Sequence, residues 1–408
     1  MNIVLLHYAA PPVVGGVETV MAQHARLMAE HGHRVCILAG RGAPGDGRVQ
    51  FALVPEADSR HPEVLRLKAE LYVGRVPAGF EPLVGRLAAQ LDAQAGEADL
   101  LIAHNVCSLN KNLALTAALH RWSQAGARPR LILWHHDLAW TTPRYRDELH
   151  DGYPWDLLRS DWPWARQVVV SQQRRSELAS LLGVPPERIE VVPNGVDARQ
   201  FLKLEDQTAE LNARLGLDRA APLLLLPVRI TPRKNIELAL HMLARLRRAY
   251  PEARLVVTGP LGPHNPQNRD YLERLRNLRR ELGLEEAAVF LAEVVRETIP
   301  DAVMADLYKL ADLLFLPSRE EGFGIPVLEA GLAGIPVFCS DIETLRALAG
   351  DQGYYFSTQA DPDEVAGQIA GVLQADRTYA LHRRVLRDYS WERIYESRIA
   401  PLLAGGTR

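Results

Sequence analysis

Two pairs of charged side chains, each at a short fixed spacing, stand out among the 408 residues. The first pair is Arg229 and Lys234, which flank Pro232 in the run Val228-Arg-Ile-Thr-Pro-Arg-Lys-Asn-Ile236. A guanidinium offers forked donors and an ammonium a compact charge, so the two at one strand end can clamp a diphosphate. The second pair is Glu321 and Glu329 in Pro317-Ser-Arg-Glu-Glu-Gly-Phe-Gly-Ile-Pro-Val-Leu-Glu-Ala330. A carboxylate in the turn can accept hydrogen bonds from sugar hydroxyls. Another, about two helical turns later, reaches a different part of the same extended ligand. Gly322 and Gly324, on either side of Phe323, let the backbone approach that ligand, and their amides precede a helix N-terminus suited to anions. Taken alone, the glutamates also read as solvated first-turn acids and the cations as ordinary loop charges. Val327 stands where a nicotinamide-cofactor fingerprint would place a third glycine, which argues against that ligand.

Further chemistry-bearing residues sit at other strand ends. His135 and His136 close the run Trp134-His-His-Asp137, and His104 with Asn105 closes another. Neither has third and fourth ligands at metal-site spacing. Asp361-Pro-Asp363 spells an Asp-x-Asp, but it opens a Pro-containing helix start, where acids cap the first turn. The segment from Asp137 to Trp164 gathers Trp140, Arg144, Tyr145, Arg146, Tyr153, Trp155, Arg159 and Trp162. Its aromatics can stack on sugar faces and its arginines hold a phosphate or carboxylate, or the whole excursion can be structural.

These residues need a scaffold that brings strand ends together. Short apolar runs alternate with helical patterns, which predicts an α/β fold with parallel sheets. A first series runs through Ile3–Leu6, a helix over Val17–Glu30, then Arg34–Ala39, Leu100–Ala103, Leu131–Trp134, Gln167–Ser171 and Ile189–Val192. A second runs through Leu223–Val228, Arg254–Thr258, Ala288–Leu291, Leu313–Leu316 and Pro336–Cys339. A chain of this length fits two domains of about 200 residues. The expected division is 1–197 and 198–384, with a helical stretch at about 385–408 returning to the first domain. Hydrophobic residues make up 47% and charged residues 24%, a globular balance. The net charge of −3 argues against a nucleic-acid partner. Three scattered cysteines suit a reducing cytoplasm. No apolar run approaches the length of a membrane span, which leaves peripheral membrane contact open.

Taken together, the charged motifs resemble those of the family-4 retaining glycosyltransferases of the group 1 type. That family has the GT-B fold, two facing Rossmann-like domains with helices on both faces of each sheet and the donor cleft between domains. The resemblance covers most of the chain. Pro12–Glu18 is similar to the family's first glycine loop and puts Gly15 and Gly16 near the donor phosphate or the acceptor. Val192-Pro-Asn-Gly-Val-Asp197 matches the inter-domain signature. Thr258-Gly259-Pro260 occupies a donor-side loop that commonly reads Gly-x-Gly, with proline as a departure. By resemblance, Arg229 and Lys234 contact the donor diphosphate, Glu321 the transferred hexose and Glu329 the ribose. His136, or else His135, contacts a hydroxyl of that sugar.

The resemblance implies a hexosyltransferase whose co-substrate is a nucleotide diphosphate sugar, of GDP-mannose or UDP-glucose type. It requires no cofactor, with Mg2+ at most an activator. Removing Lys234 is then expected to lower turnover far more than stability. Acceptor binding is assigned to the first domain, with Arg144, Tyr145 and Asn105 as candidates. The acceptor can be a sugar, a glycerate-like compound, a lipid or a polysaccharide, and the oligomeric state is not read. Competing readings are a sugar-nucleotide epimerase, a phosphorylase, or a non-catalytic nucleotide-sugar-binding protein.

Overall fold

The computed structural model describes residues 1–45, 47–125, 129–260, 267–295 and 299–405. The chain divides into unit 1, Met1–Gly195 with Trp391–Arg408, and unit 2, Val196–Ser390. The division falls two residues before the expected hinge. The helix Arg377–Asp388 stays with unit 2, and the return to unit 1 begins at Trp391.

In unit 1 the described strands are β1 (Asn2–His7), β2 (Arg34–Ala39), β3 (Val49–Leu53), β4 (Leu100–His104), β5 (Arg130–His135), β6 (Ala165–Val169) and β7 (Ile189–Val191). They pair in parallel in the order β3-β2-β1-β4-β5-β6-β7. Consecutive residues point to opposite faces of a strand, so a sheet covered on both sides reads as a continuous apolar run. In β4, Leu100 and Ile102 enter a core with Val20, Met21 and Trp391, while Leu101 and Ala103 enter another with Leu87 and Leu115. The returning segment fills the first of these cores with Trp391, Ile394, Tyr395, Ile399, Leu402 and Leu403. Gly195 makes room for it, because a Cβ there would meet Trp391 Cδ2 at 2.8 Å.

Unit 2 contains β8 (Leu223–Leu226), β9 (Arg254–Val257), β10 (Ala288–Phe290), β11 (Leu313–Leu316), β12 (Val337–Ser340) and β13 (Tyr354–Phe356), parallel in the order β10-β9-β8-β11-β12-β13. Two successive Rossmann-like sheets are therefore present, as the alternating pattern predicts. The edge strands β3 and β13 are absent from the sequence reading. β3 is only half-buried and β13 is three residues long, so neither shows a sustained apolar run.

In each sheet the strand order reverses once, between β1 and β4 in unit 1 and between β8 and β11 in unit 2. Loops leaving those neighbouring strands diverge and open a crevice beyond their carboxyl ends, where α/β proteins bind ligands.

Candidate functional site

The charged motifs of unit 2 lie on the two loops that flank its reversal. One leaves β8 and carries Arg229 and Lys234; the other leaves β11 and carries Glu321. Pro232 opens a single helical turn, Pro232–Lys234, where its missing N–H costs nothing. Asn235 then turns the chain in the left-handed region, at φ 51°, into the helix Ile236–Leu246. This geometry directs Lys234 inward. Its Nζ donates to Glu321 Oε1 at 2.5 Å, and both side chains are only 9% exposed. Ser318 Oγ donates to the same oxygen at 2.7 Å. Among the described residues Glu321 Oε2 has no hydrogen-bond partner.

Other contacts lock the two loops in register. The Arg319 amide donates to the Arg233 carbonyl at 2.8 Å, and Arg319 Nη2 to Asn235 Oδ1 at 3.1 Å. Asn235 Nδ2 in turn donates to the Thr358 carbonyl at 3.2 Å. Arg229 is exposed and, among the described residues, has no ion-pair partner. Gly259 lies directly against its backbone: a Cβ there would meet the Val228 carbonyl oxygen at 2.0 Å and the Arg229 nitrogen at 2.5 Å. The adjoining Ile230 amide donates to the Pro260 carbonyl at 3.2 Å.

The helix after the second loop is Ile325–Ala333, capped by Gly324 at φ 95°. A Cβ at Gly324 would also strike Leu345 Cδ2 at 2.7 Å, so this glycine is required by the fold. Gly322, by contrast, faces open space and Phe323 is exposed. Glu329 is exposed and accepts the buried Tyr308 hydroxyl at 2.6 Å. Burial and that carboxylate raise the Tyr308 pKa, keeping the hydroxyl a donor. Arg229, Lys234, Gly259 and Glu321 thus belong to one end of one sheet, and Glu329 lies on the helix that follows the second loop. Asn235, Arg319 and Tyr308 were not singled out from sequence because their partners lie far away in the chain, and Ser318, three residues from Glu321, was passed over as an ordinary loop serine.

The unit 1 candidates gather at its own reversal. Gly15 and Gly16 open the helix Gly16–Glu30 after β1, and no side chain caps it. Gly16 faces open space. His136 follows β5; its Nε2 lies 3.2 Å from His104 Nδ1, leaving Nδ1 as its remaining ring nitrogen. Burial lowers its pKa to about 3, so it is a neutral imidazole. His135 is packed away on Gln167 Oε1 at 2.8 Å and lowered by burial to about 4. Asn105 is buried, in the left-handed region at φ 58°. Its Oδ1 accepts the His136 amide at 2.7 Å and the Asp137 amide at 3.2 Å, so it braces the end of β5. Arg144 and Tyr145 line a concavity of about 310 Å3, together with Asn105 and the turn Val13–Glu18.

The rest of the 137–164 segment is largely structural. Trp155 and Trp162 are core residues, and Arg159 stacks 3.9 Å over the Trp140 ring while pairing with Asp151 and Asp156. Asp361 Oδ1 caps its helix by accepting the Asp363 amide at 2.8 Å, and Asp363 pairs with Arg245 and Arg248. Cys107 and Cys339 are buried and Cys36 half-buried, all as free thiols. No helix among the described residues is long and apolar enough to cross a membrane.

Known proteins resemble both parts of the chain. Residues 207–389 match the family described as glycosyl transferases group 1, and residues 14–200 match glycosyltransferase family 4. A D-inositol 3-phosphate glycosyltransferase of Kineococcus radiotolerans is 32% identical over 231 residues, 55% of this chain and 49% of that protein. A GDP-mannose-dependent alpha-(1-6)-phosphatidylinositol monomannoside mannosyltransferase of Mycolicibacterium smegmatis is 30% identical over 311 residues, 72% of this chain and 74% of that one. An MMP alpha-(1->4)-mannosyltransferase of Mycolicibacterium hassiacum is 26% identical across 98% of this chain and 97% of its own. The chain spans about half the length of the D-inositol 3-phosphate glycosyltransferases it matches.

Proposed function

The chain belongs to the group 1 glycosyl transferases, and from that premise we propose that it moves a hexose from a nucleotide diphosphate sugar to an acceptor hydroxyl with retention of configuration. The observation that carries this reading is the Lys234–Glu321 contact, which joins the two loops at the reversal of the unit 2 sheet beside the exposed Arg229. When the bond from the anomeric carbon to the diphosphate breaks, positive charge grows on that carbon and negative charge on the departing oxygen. Arg229 and Lys234 are the fixed cations for that oxygen, and preorganised donors of this kind contribute about 3–4 kcal/mol each.

Glu321 orients the sugar. One of its oxygens is held by Lys234 and Ser318, which leaves the other for a hydroxyl. Glu329, steadied on one side by Tyr308, takes the ribose hydroxyls. His136, neutral at physiological pH, serves as a hydrogen-bonding partner of the transferred sugar and carries no charge to it. The acceptor hydroxyl attacks from the face the diphosphate leaves, and its proton passes to the departing phosphate oxygen. Because Arg229 and Lys234 supply the countercharge, the reading needs no resident metal, and Mg2+ is at most an activator. GDP-mannose and UDP-glucose remain the leading donors, and a GDP-mannose-dependent relative supports trying the former first. Three free thiols support a reducing, cytoplasmic setting.

The test has two stages. Thermal-shift screening against GDP- and UDP-sugars identifies the donor, because a ligand at a hundred times its Kd adds about 2.7 kcal/mol to native stability. Nucleoside diphosphate release is then followed with donor alone and with candidate acceptors. Acceptor-dependent release is expected. Saturable donor binding with no release under any acceptor overturns the transfer reading in favour of a binding protein.

A further inference from the structure

The concavity at the reversal of the unit 1 sheet holds more positive charge than its own carboxylates neutralise. Arg41, Arg60, Lys111 and Arg144 line it, brought from four separate segments. Arg41 has Asp58 at 3.6 Å, and its buried Nε donates no hydrogen bond. Arg60, Lys111 and Arg144 are exposed and have no carboxylate partner among the described residues. Arg144 lies 4.8 Å over the ring of Tyr145, which holds its guanidinium at the wall. Of the two carboxylates on the same wall, Asp137 is 3.5 Å from Arg174, and Glu18, whose Oε2 folds back over Gly15, is the one anion set against Arg60, Lys111 and Arg144.

Cations gathered on a concave, low-dielectric wall focus a positive potential, and an anion completes the arrangement. The first turn of the helix Gly16–Glu30 lines the same space, and no side chain caps it by a hydrogen bond. At about 310 Å3 the concavity is at the small end of ligand pockets, which span about 300–1,000 Å3. It suits a compact polar group.

We infer that this concavity binds the phosphate ester of a small polyol acceptor, with Arg60, Lys111 and Arg144 as the side chains that contact the phosphate. The assignment rests on the reading of unit 1 as the acceptor side. It makes the anion, and not the polyol alone, the feature by which acceptors are selected. A soluble phosphomonoester and the headgroup of a phospholipid share this chemistry, and they separate by experiment.

The test compares the wild type with the double variant Arg60→Gln/Lys111→Gln, in which two exposed side chains without carboxylate partners change and the fold is undisturbed. Transfer is measured to myo-inositol and inositol 3-phosphate, to mannose and mannose 6-phosphate, and to phosphatidylinositol vesicles. The phosphorylated member of a pair is expected to be at least tenfold better in kcat/KM. The double variant is expected to raise its KM at least tenfold while the thermal shift produced by the donor stays the same. Preference for vesicles over both soluble esters, lost in the variant, identifies a lipid headgroup as the source of the phosphate. An unchanged acceptor KM, or a rise in the donor KM instead, overturns the assignment. If no acceptor is glycosylated, inorganic phosphate provides a separate reading. A thermal shift by phosphate that is lost in the double variant supports the anion site even as the transfer reading fails, and the same shift in both proteins overturns it.

Discussion

Removing the ammonium of Lys234 tests the site and the fold at once. In Lys234→Met the aliphatic stem is largely kept, and Glu321 loses the partner held at 2.5 Å. Both side chains are 9% exposed, so the orphaned carboxylate has little access to water and only Ser318 still donates to it. Breaking a buried pair from one side costs about 3–5 kcal/mol, and this partly accessible site belongs at the lower end, about 3 kcal/mol. A loss of that size would set a stability role for Lys234 beside its role in turnover. The second variant, Glu321→Gln, leaves a neutral acceptor for Lys234. The double variant Lys234→Met/Glu321→Gln contains neither charge and should recover most of the lost stability. A coupling of about 2 kcal/mol is expected, within the range seen for contacting residues. With a urea dependence of about 1–3 kcal/mol/M, the Lys234→Met loss appears as a midpoint shift of about 1–3 M. Turnover should behave differently. Removing one preorganised donor costs about 100- to 1,000-fold in kcat, and restoring charge balance does not replace it. Stability that returns while turnover stays low separates the two roles. Additive stability losses, or near-wild-type turnover in the double variant, refute the reasoning.

Three further outcomes are expected. Gly259→Ala drives a methyl into the Val228 carbonyl and should cost about 1–3 kcal/mol and weaken the donor thermal shift, whereas Gly16→Ala, facing open space, should leave the urea midpoint unchanged or higher while lowering transfer. Equal midpoints for the two variants refute this contrast. Burial depresses His24 and His136 to about 3, His135 to about 4, and His104 well below its ordinary value, so the unfolded chain takes up protons that the native one does not. Stability should therefore fall as the pH drops below about 6.5, by about 1.4 kcal/mol per histidine at pH 5.5, and His24→Leu should make the slope of urea midpoint against pH shallower. Trp391→Ala should cost about 3–5 kcal/mol, because it empties the site where the returning segment enters the unit 1 core, and a midpoint within about 1 kcal/mol of wild type contradicts that packing.

The elements that hold the site were legible where the chain is buried on both faces of a sheet. Leu223–Leu226 and Leu313–Leu316 are unbroken apolar runs because neither face meets water. Val49–Leu53 and Tyr354–Phe356 lie at sheet edges, where burial is partial and the pattern fades. Gly324 was legible as a glycine in the turn before a helix, and Gly259 only through the resemblance to a donor-side loop. The structure adds that both are also demanded by the fold, through a positive φ at one and backbone contact at the other.

The sequence by itself determined the residue types, their local spacing and the turns that aim them. Those depend on interactions within a few positions of the chain: Pro232 opening a turn, Gly324 capping a helix, acids and cations set at a strand end. Only the tertiary structure decided which of these meet. Strand order brings β8 beside β11 and β1 beside β4. The first adjacency is why Lys234 lands on Glu321, and the pairing of β4 with β5 is why Asn105 braces the backbone of His136. It is also why four cations from separate segments share one small wall. None of these contacts leaves a periodic trace, because each depends on how strands far apart in sequence lie side by side.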